Sequence, residues 1–195
     1  MPLPKKNYTV EDIYSLPDGE RAELIDGKIY MMAPPSTRHQ RLVGSLHAQI
    51  YNYIKSKNGK CEVIPSPFAV FLETEGKTNY VEPDLSVICD PDKIDEKGCQ
   101  GAPDWIIEIV SPSSKQMDYG RKQALYLAAG VREYWIVDPM RETVLIYKAE
   151  EDWVPAFSRL GEKIKVGIYE EGEKDTAWHV KYKPEGNYSA PQLCI

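Results

Sequence analysis

Three carboxylates stand where strand-forming sequence has little use for charge. Glu23 lies within Arg21-Ala-Glu-Leu-Ile25, Asp84 follows Pro83 at the head of Leu85-Ser-Val-Ile-Cys89, and Glu108 interrupts the apolar run from Trp105 to Val110. A buried carboxylate is costly unless it is paired or binds a metal ion. A hard divalent cation such as magnesium takes oxygen donors in a near-octahedral set, commonly one or two carboxylates with water completing the shell. Asp84 and Glu108, at the ends of neighbouring strands, would supply such a seat. The carbonyl of Ile109 is a further donor, and Glu23 could bind directly or through water. Any one of these acids alone reads as a structural ion-pair partner; Asp84 and Glu108 together favour the metal.

Lys122 brings a cation of the chain's own. Asp118, Lys122 and Tyr126 follow at spacings of four and share one helical face. An ammonium beside a metal-bound water would orient it and neutralise charge developing on a phosphate. The same spacing also describes an ordinary surface pair of Asp118 with Lys122, worth only a few tenths of a kcal/mol, and spacing alone favours that plainer reading. His39 falls in the first turn of a helix, where a histidine caps or packs more often than it binds a ligand. Gln123, beside Lys122, is placed to face the same region.

The elements that must position these groups are legible in outline. Trp105 to Val110 reads as a buried strand, Asp118 to Ala129 as a helix stopped by Gly130, and Glu133 to Val137 as a second buried strand. Together they predict a right-handed parallel crossover. Thr9-Val-Glu-Asp12 has the form of a capping box for a short helix, and Asp26-Gly27 predicts a type I′ hairpin that puts Glu23 on the same face as Ile25. Leu42, Val43, Leu46, Ile50 and Ile54 recur at helical spacing from His39 to about Lys57. Strands are expected at Cys61 to Ile64, Phe68 to Leu72 and Val81 to Cys89, with loops over 76–79 and 90–97. Thr143 to Tyr147 continues as an antiparallel meander, with edge strands within 153–160 and 164–169 and an irregular tail beyond.

At 195 residues, with 42% apolar and 28% charged residues, the chain suits one well-buried domain. We expect a single domain over 1–195, with its core at about 10–169 and the tail from 170. The net charge of −6 argues against a protein that coats nucleic acid through a basic face. It does not argue against an enzyme whose acids hold metal ions. No apolar run approaches a membrane span, and no signal core follows the first residues, which points to a cytoplasmic protein. The four cysteines form no CxxC pair and are expected to be free thiols.

Pro83-Asp84 followed by Glu108-Ile-Val110 resembles the pattern of the PD-(D/E)XK nuclease superfamily. The wider set of Glu23-Leu-Ile-Asp-Gly27, His39, Glu108-Ile-Val-Ser-Pro112, Asp118, Lys122, Tyr126, Gly130 and Glu133-Tyr-Trp-Ile-Val-Asp-Pro139 resembles the Uma family of restriction-endonuclease relatives, over roughly Val10 to Lys148. The superfamily's lysine stands two residues after the acid, where this chain has Val110; in the Uma family it has moved to the following helix, the place of Lys122. The resemblance implies a restriction-endonuclease-like α/β fold, a mixed curved β-sheet flanked by helices. It implies hydrolysis of DNA phosphodiester bonds with Mg2+ or Mn2+, with Asp84, Glu108, Lys122 and Glu23 catalytic. The metal would be held by Asp84, Glu108 and Ile109, with His39, Gln123 and Tyr126 toward the substrate. A homodimer is the expectation for cutting both strands. The rivals are a catalytically silent module of the same fold, which the acidic charge favours, and a metal-dependent enzyme acting on RNA or a nucleotide.

Overall fold

Asp26 and Gly27 take φ of 51° and 71°, the two positive values of a type I′ turn. They fold β1 (Ala22–Ile25) against β2 (Lys28–Met31). The computed structural model describes residues 7–168 and the backbone of Ala177–His179. Ahead of the hairpin lies α1 (Val10–Tyr14), where the Thr9 amide donates to Asp12 Oδ2 at 2.9 Å. After it comes α2 (Thr37–Ser56), capped by Ser36 Oγ, which accepts from the His39 amide. The strands β3 (Glu62–Pro65), β4 (Val70–Thr74), β5 (Lys77–Val81), β6 (Leu85–Ile88), β7 (Ile94–Asp95), β8 (Gly98–Gln100) and β9 (Trp105–Ile109) follow. A π-helical turn, Met117–Lys122, runs into α3 (Gln123–Ala129), which ends at Gly130 with φ 85°. The chain continues through β10 (Glu133–Asp138), β11 (Thr143–Lys148), β12 (Ala156–Arg159), β13 (Lys163–Lys165) and β14 (Ala177–His179).

The fold is α/β, with mixed sheets flanked by helices, and the strands divide between two six-stranded sheets instead of one. The first runs β2-β1-β5-β4-β8-β7 and the second β12-β11-β10-β9-β6-β3, each with one parallel pair. The parallel pair of the second sheet, β9 with β10, carries the expected crossover. On one face of this sheet Trp105, Ile107, Ile109, Trp135 and Val137 pack under Leu42, Val43, Leu46, Ile50 and Ile54 of α2. On the other, Ile106, Tyr134 and Ile136 meet Ile25, Val70, Leu72 and Val81 of the first sheet, with Leu125 and Tyr126 of α3. α1 covers the outer face of the first sheet at Ala22, Leu24, Phe71 and Tyr80. Side chains alternate along a strand, so Glu23, beside Ile25, and Glu108, beside Ile106, are both delivered to the layer between the sheets.

Several local expectations are corrected. Val81 to Cys89 is not one strand: β5 ends at Val81 in the first sheet and β6 begins at Leu85 in the second. Pro83 has no amide to continue a ladder, so the chain steps between sheets at Glu82-Pro83-Asp84. The expected loop at 76–79 is mostly β5, and the charged loop at 90–97 contains β7. The expected helix from Asp118 opens as the π-helical turn. Cys61 and Cys89 are joined in a disulfide, contrary to four free thiols. The register that sets Glu62 opposite Ile88 in the antiparallel β3–β6 pair carries Cys61 to Cys89. Cys99 is free and buried, while Cys194 lies outside the described residues. The expected irregular tail also lies outside them, except that Ala177–His179 pairs with β13. No described helix is long and apolar enough to cross a membrane.

Candidate active site

The step between sheets at Asp84 borders a cleft of about 360 Å³ lined by Glu23, His39, Asp84, Glu108, Ile109 and Lys122, among others. The β6–β9 register pairs Leu85 with Ile107, which carries Asp84 opposite Glu108. Asp84 Oδ2 accepts from the Ile109 amide at 2.7 Å and lies 3.1 Å from His39 Nε2. The cap at Ser36 fixes the first turn of α2, and with it the position from which His39 reaches Asp84.

Lys122 is the centre of the arrangement. Its Nζ lies 2.8 Å from Glu23 Oε1 and 2.9 Å from Glu108 Oε1, and 4.0 Å from Asp118 Oδ1. Glu23 Oε1 also accepts from the Glu82 amide at 3.0 Å, and Glu108 Oε1 from the Tyr126 hydroxyl at 2.8 Å. Burial alone would lower the Lys122 pKa, but Glu108, Glu23 and Asp118 outweigh it and hold the ammonium well above its ordinary range. The three acids thus favour the charged form of Lys122. Burial pushes the Glu108 carboxyl above its ordinary value, the Lys122 ammonium opposes the rise, and the neighbouring acids add to it. Asp118 is raised to about 6, again by burial, with Lys122 and nearby Ser114 opposing. Burial works against a charged His39, but Asp84, then Gln40 and the Ile109 carbonyl, raise its pKa above the usual histidine value. Burial and the surrounding acids hold Tyr126 well above a normal phenol, so it remains a donor.

The structure thus brings Glu23, Asp84, Glu108, Ile109, Lys122 and His39 to one cleft. Gln123 is half-buried and is not part of the lining, and Tyr126 is fully buried behind Glu108. Two groups escaped the sequence reading. Asp118, part of the family pattern but given no role beyond a surface pairing with Lys122, is 1% exposed, and neither of its oxygens is in hydrogen-bonding geometry with a partner. Glu82, which pairs with Arg21 at the rim, carried the same signal as the other acids: a charge between Val81 and Pro83 in an apolar stretch.

Among the described residues no three His, Cys, Asp or Glu side chains gather as a ready metal cluster, and the Lys122 ammonium stands between Glu23 and Glu108. The donor set nevertheless suits a hard cation. Asp84, Glu108 and the Ile109 carbonyl offer only oxygen. The unpartnered oxygens of buried Asp118 also mark unmet demand for positive charge in this cleft.

The architecture is that of a restriction-endonuclease-like protein. It superposes with a TM-score of 0.64, at 23% identity, on the crystal structure of a "putative nuclease belonging to DUF820" from Anabaena variabilis ATCC 29413, covering 81% of this chain and 88% of that one. At that identity the likeness concerns the fold. The chain belongs to the Uma2 family, described as "Putative restriction endonuclease", which it matches over residues 10–166. It is also 30% identical over 136 residues to "Uncharacterized protein slr1290" of Synechocystis sp. (strain ATCC 27184 / PCC 6803 / Kazusa), spanning 68% of each chain.

Proposed function

We propose that the protein is a Mg2+- or Mn2+-dependent endonuclease that hydrolyses DNA phosphodiester bonds. The observation that supports this best is the buried Lys122 ammonium held between Glu23 and Glu108 in a cleft that Asp84 borders. Asp84, Glu108 and the Ile109 carbonyl would hold the cation. Bound there, a divalent ion supplies a Lewis acid and lowers the pKa of coordinated water. Lys122 neutralises charge on the phosphate under attack and orients the nucleophile. Glu23 holds the ammonium in place, Tyr126 fixes Glu108, and His39 steadies Asp84 while lining the cleft where a phosphate would lie. Direct contact with DNA falls to His39 more readily than to Gln123 or Tyr126, which lie outside the lining. A two-fold pair of copies would present one such cleft to each strand of a duplex.

A second reading, a catalytically silent module of the same fold, draws on Lys122 already pairing two of the acids and on the net charge of −6. The experiment that separates the two is incubation of the purified chain with supercoiled, linear and single-stranded DNA, with Mg2+, Mn2+ or a chelator. Endonuclease action is expected with metal, and none with Asp84→Ala or Glu108→Ala. Intact DNA in every mixture, alongside metal-independent DNA binding, would leave the silent module.

A further inference from the structure

Asp118 is unexplained by the pairing it sits beside. It shares the π-helical turn Met117–Lys122 with Lys122, is 1% exposed, and has neither carboxylate oxygen in hydrogen-bonding geometry, Ser114 lying near it but only weakly engaged. A buried carboxylate without donors is rare and costly, and π-helical turns recur at functional sites. As a simple salt-bridge partner of Lys122 it is poorly placed. Nζ stands 4.0 Å from Asp118 but 2.8 Å from Glu23 and 2.9 Å from Glu108. One ammonium therefore faces three acids and is in contact with two.

The conflict becomes intelligible when Glu108 has a second task. A divalent cation drawing on Glu108 competes with Lys122 for the same carboxylate and repels the ammonium. Lysine is a point charge on a flexible four-carbon stem, and a displacement of about 1 Å brings Nζ into hydrogen-bonding distance of Asp118. Glu23 can remain its partner throughout. We propose, on the basis of the metal-dependent reading above, that Asp118 is a positioning residue: the alternative seat of the Lys122 ammonium when Glu108 turns to a divalent cation. In the metal-free chain Lys122 holds the acids together; with metal bound it swings to Asp118 and is set beside the substrate.

The test is a crystal structure of the full chain with Mn2+, located by anomalous scattering, combined with Mn2+ titration calorimetry. The expected structure has Mn2+ on Asp84 and Glu108, with Nζ on Asp118 and withdrawn from Glu108. Asp118→Asn is expected to weaken Mn2+ binding about tenfold, the scale on which supporting partners act. It should also leave the metal-free protein as stable as the parent or more so, since it removes a buried charge that only the more distant side of the Lys122 ammonium offsets; a merely structural residue would not part the two effects. In a Lys122→Met background Asp118→Asn should no longer alter Mn2+ affinity. If Lys122→Met does not fold, the parent's Mn2+ structure decides alone. Mn2+ bound with Nζ still on Glu108, or Asp118 itself ligating Mn2+, overturns this inference and spares the nuclease reading. Absence of saturable Mn2+ binding overturns both.

Discussion

The amide of Ile109 donates to Asp84 Oδ2 at 2.7 Å, tying the residue at the crossing between the sheets to the end of β9. The bond explains how a side chain in a connecting segment can be held as firmly as one in a strand. Asp84 and Glu108 face each other through the β6–β9 register, and the amide that follows Glu108 then fixes the Asp84 carboxylate. Glu23 reaches the same place from the other sheet, with its carboxylate pinned by the Glu82 amide. The cleft is thus made where the backbone steps from β5 in the first sheet to β6 in the second.

Asp84→Asn and Asp84→Ala should differ for this reason. Asparagine keeps an oxygen for the Ile109 amide, so fold stability should stay within about 1 kcal/mol of the parent while DNA cleavage is lost. Alanine leaves that amide without its acceptor and should cost a further 1–3 kcal/mol or so. Urea midpoints and plasmid nicking measure the two effects separately; equal stability of the two variants would mean that the Ile109 bond contributes nothing.

Much of this could be read from residue order because local chemistry and final packing agree. The five inward positions of α2 follow from period alone, and the Asp26-Gly27 turn from its dipeptide. Glu23 and Glu108 were conspicuous as charges on faces otherwise apolar. The rest depended on tertiary information. Val81 to Cys89 has the composition of one buried strand, and only the two-sheet arrangement makes Pro83 a point of passage. The Cys61–Cys89 pairing needs the register of β3 on β6, which spacing does not carry. Asp118 looked like half of a surface pair, because its distance from water and from donors is set by everything folded around it.

Tyr126 was expected near the substrate and is found behind Glu108, donating at 2.8 Å from a fully buried position. Tyr126→Phe removes a hydrogen bond to a buried acid and should destabilise the fold by about 1.5–3 kcal/mol, the range for bonds to charged groups. In steady-state cleavage it should lower kcat with KM nearly unchanged, because it fixes Glu108 without touching DNA. A rise in KM alone would return Tyr126 to the substrate.

Lys122→Met tests how far the site supports the fold. The ammonium is buried between Glu23 and Glu108, and removing one partner of a buried ion pair typically costs about 3–5 kcal/mol because the remaining charges are left uncompensated. Urea denaturation at neutral pH should show a loss of that order. The triple variant Glu23→Gln, Glu108→Gln, Lys122→Met should recover most of it, and failure to recover would mean that Lys122 contributes packing more than charge.

Glu133 offers a pH test away from the cleft. It is fully buried at the start of β10, where Oε1 accepts from Trp135 Nε1 at 2.6 Å and Oε2 from the Gly167 and Ile168 amides at 2.5 and 3.2 Å. Burial raises its pKa to about 7, with Trp135, the Gly167 amide, Lys148 and the Ile168 amide opposing the rise. The folded chain then holds this proton more tightly than the unfolded chain. Its contribution to stability is full below the ordinary carboxyl pKa and is lost as pH rises through about 7. A rise of this size corresponds to about 3 kcal/mol. Glu133→Gln cannot titrate, so the stability of the parent relative to this variant should fall by that order between roughly pH 4.5 and pH 8. Urea midpoints taken across the range measure it directly, and a parent-to-variant difference that does not change with pH would show that Glu133 is ionised throughout, its three donors outweighing burial.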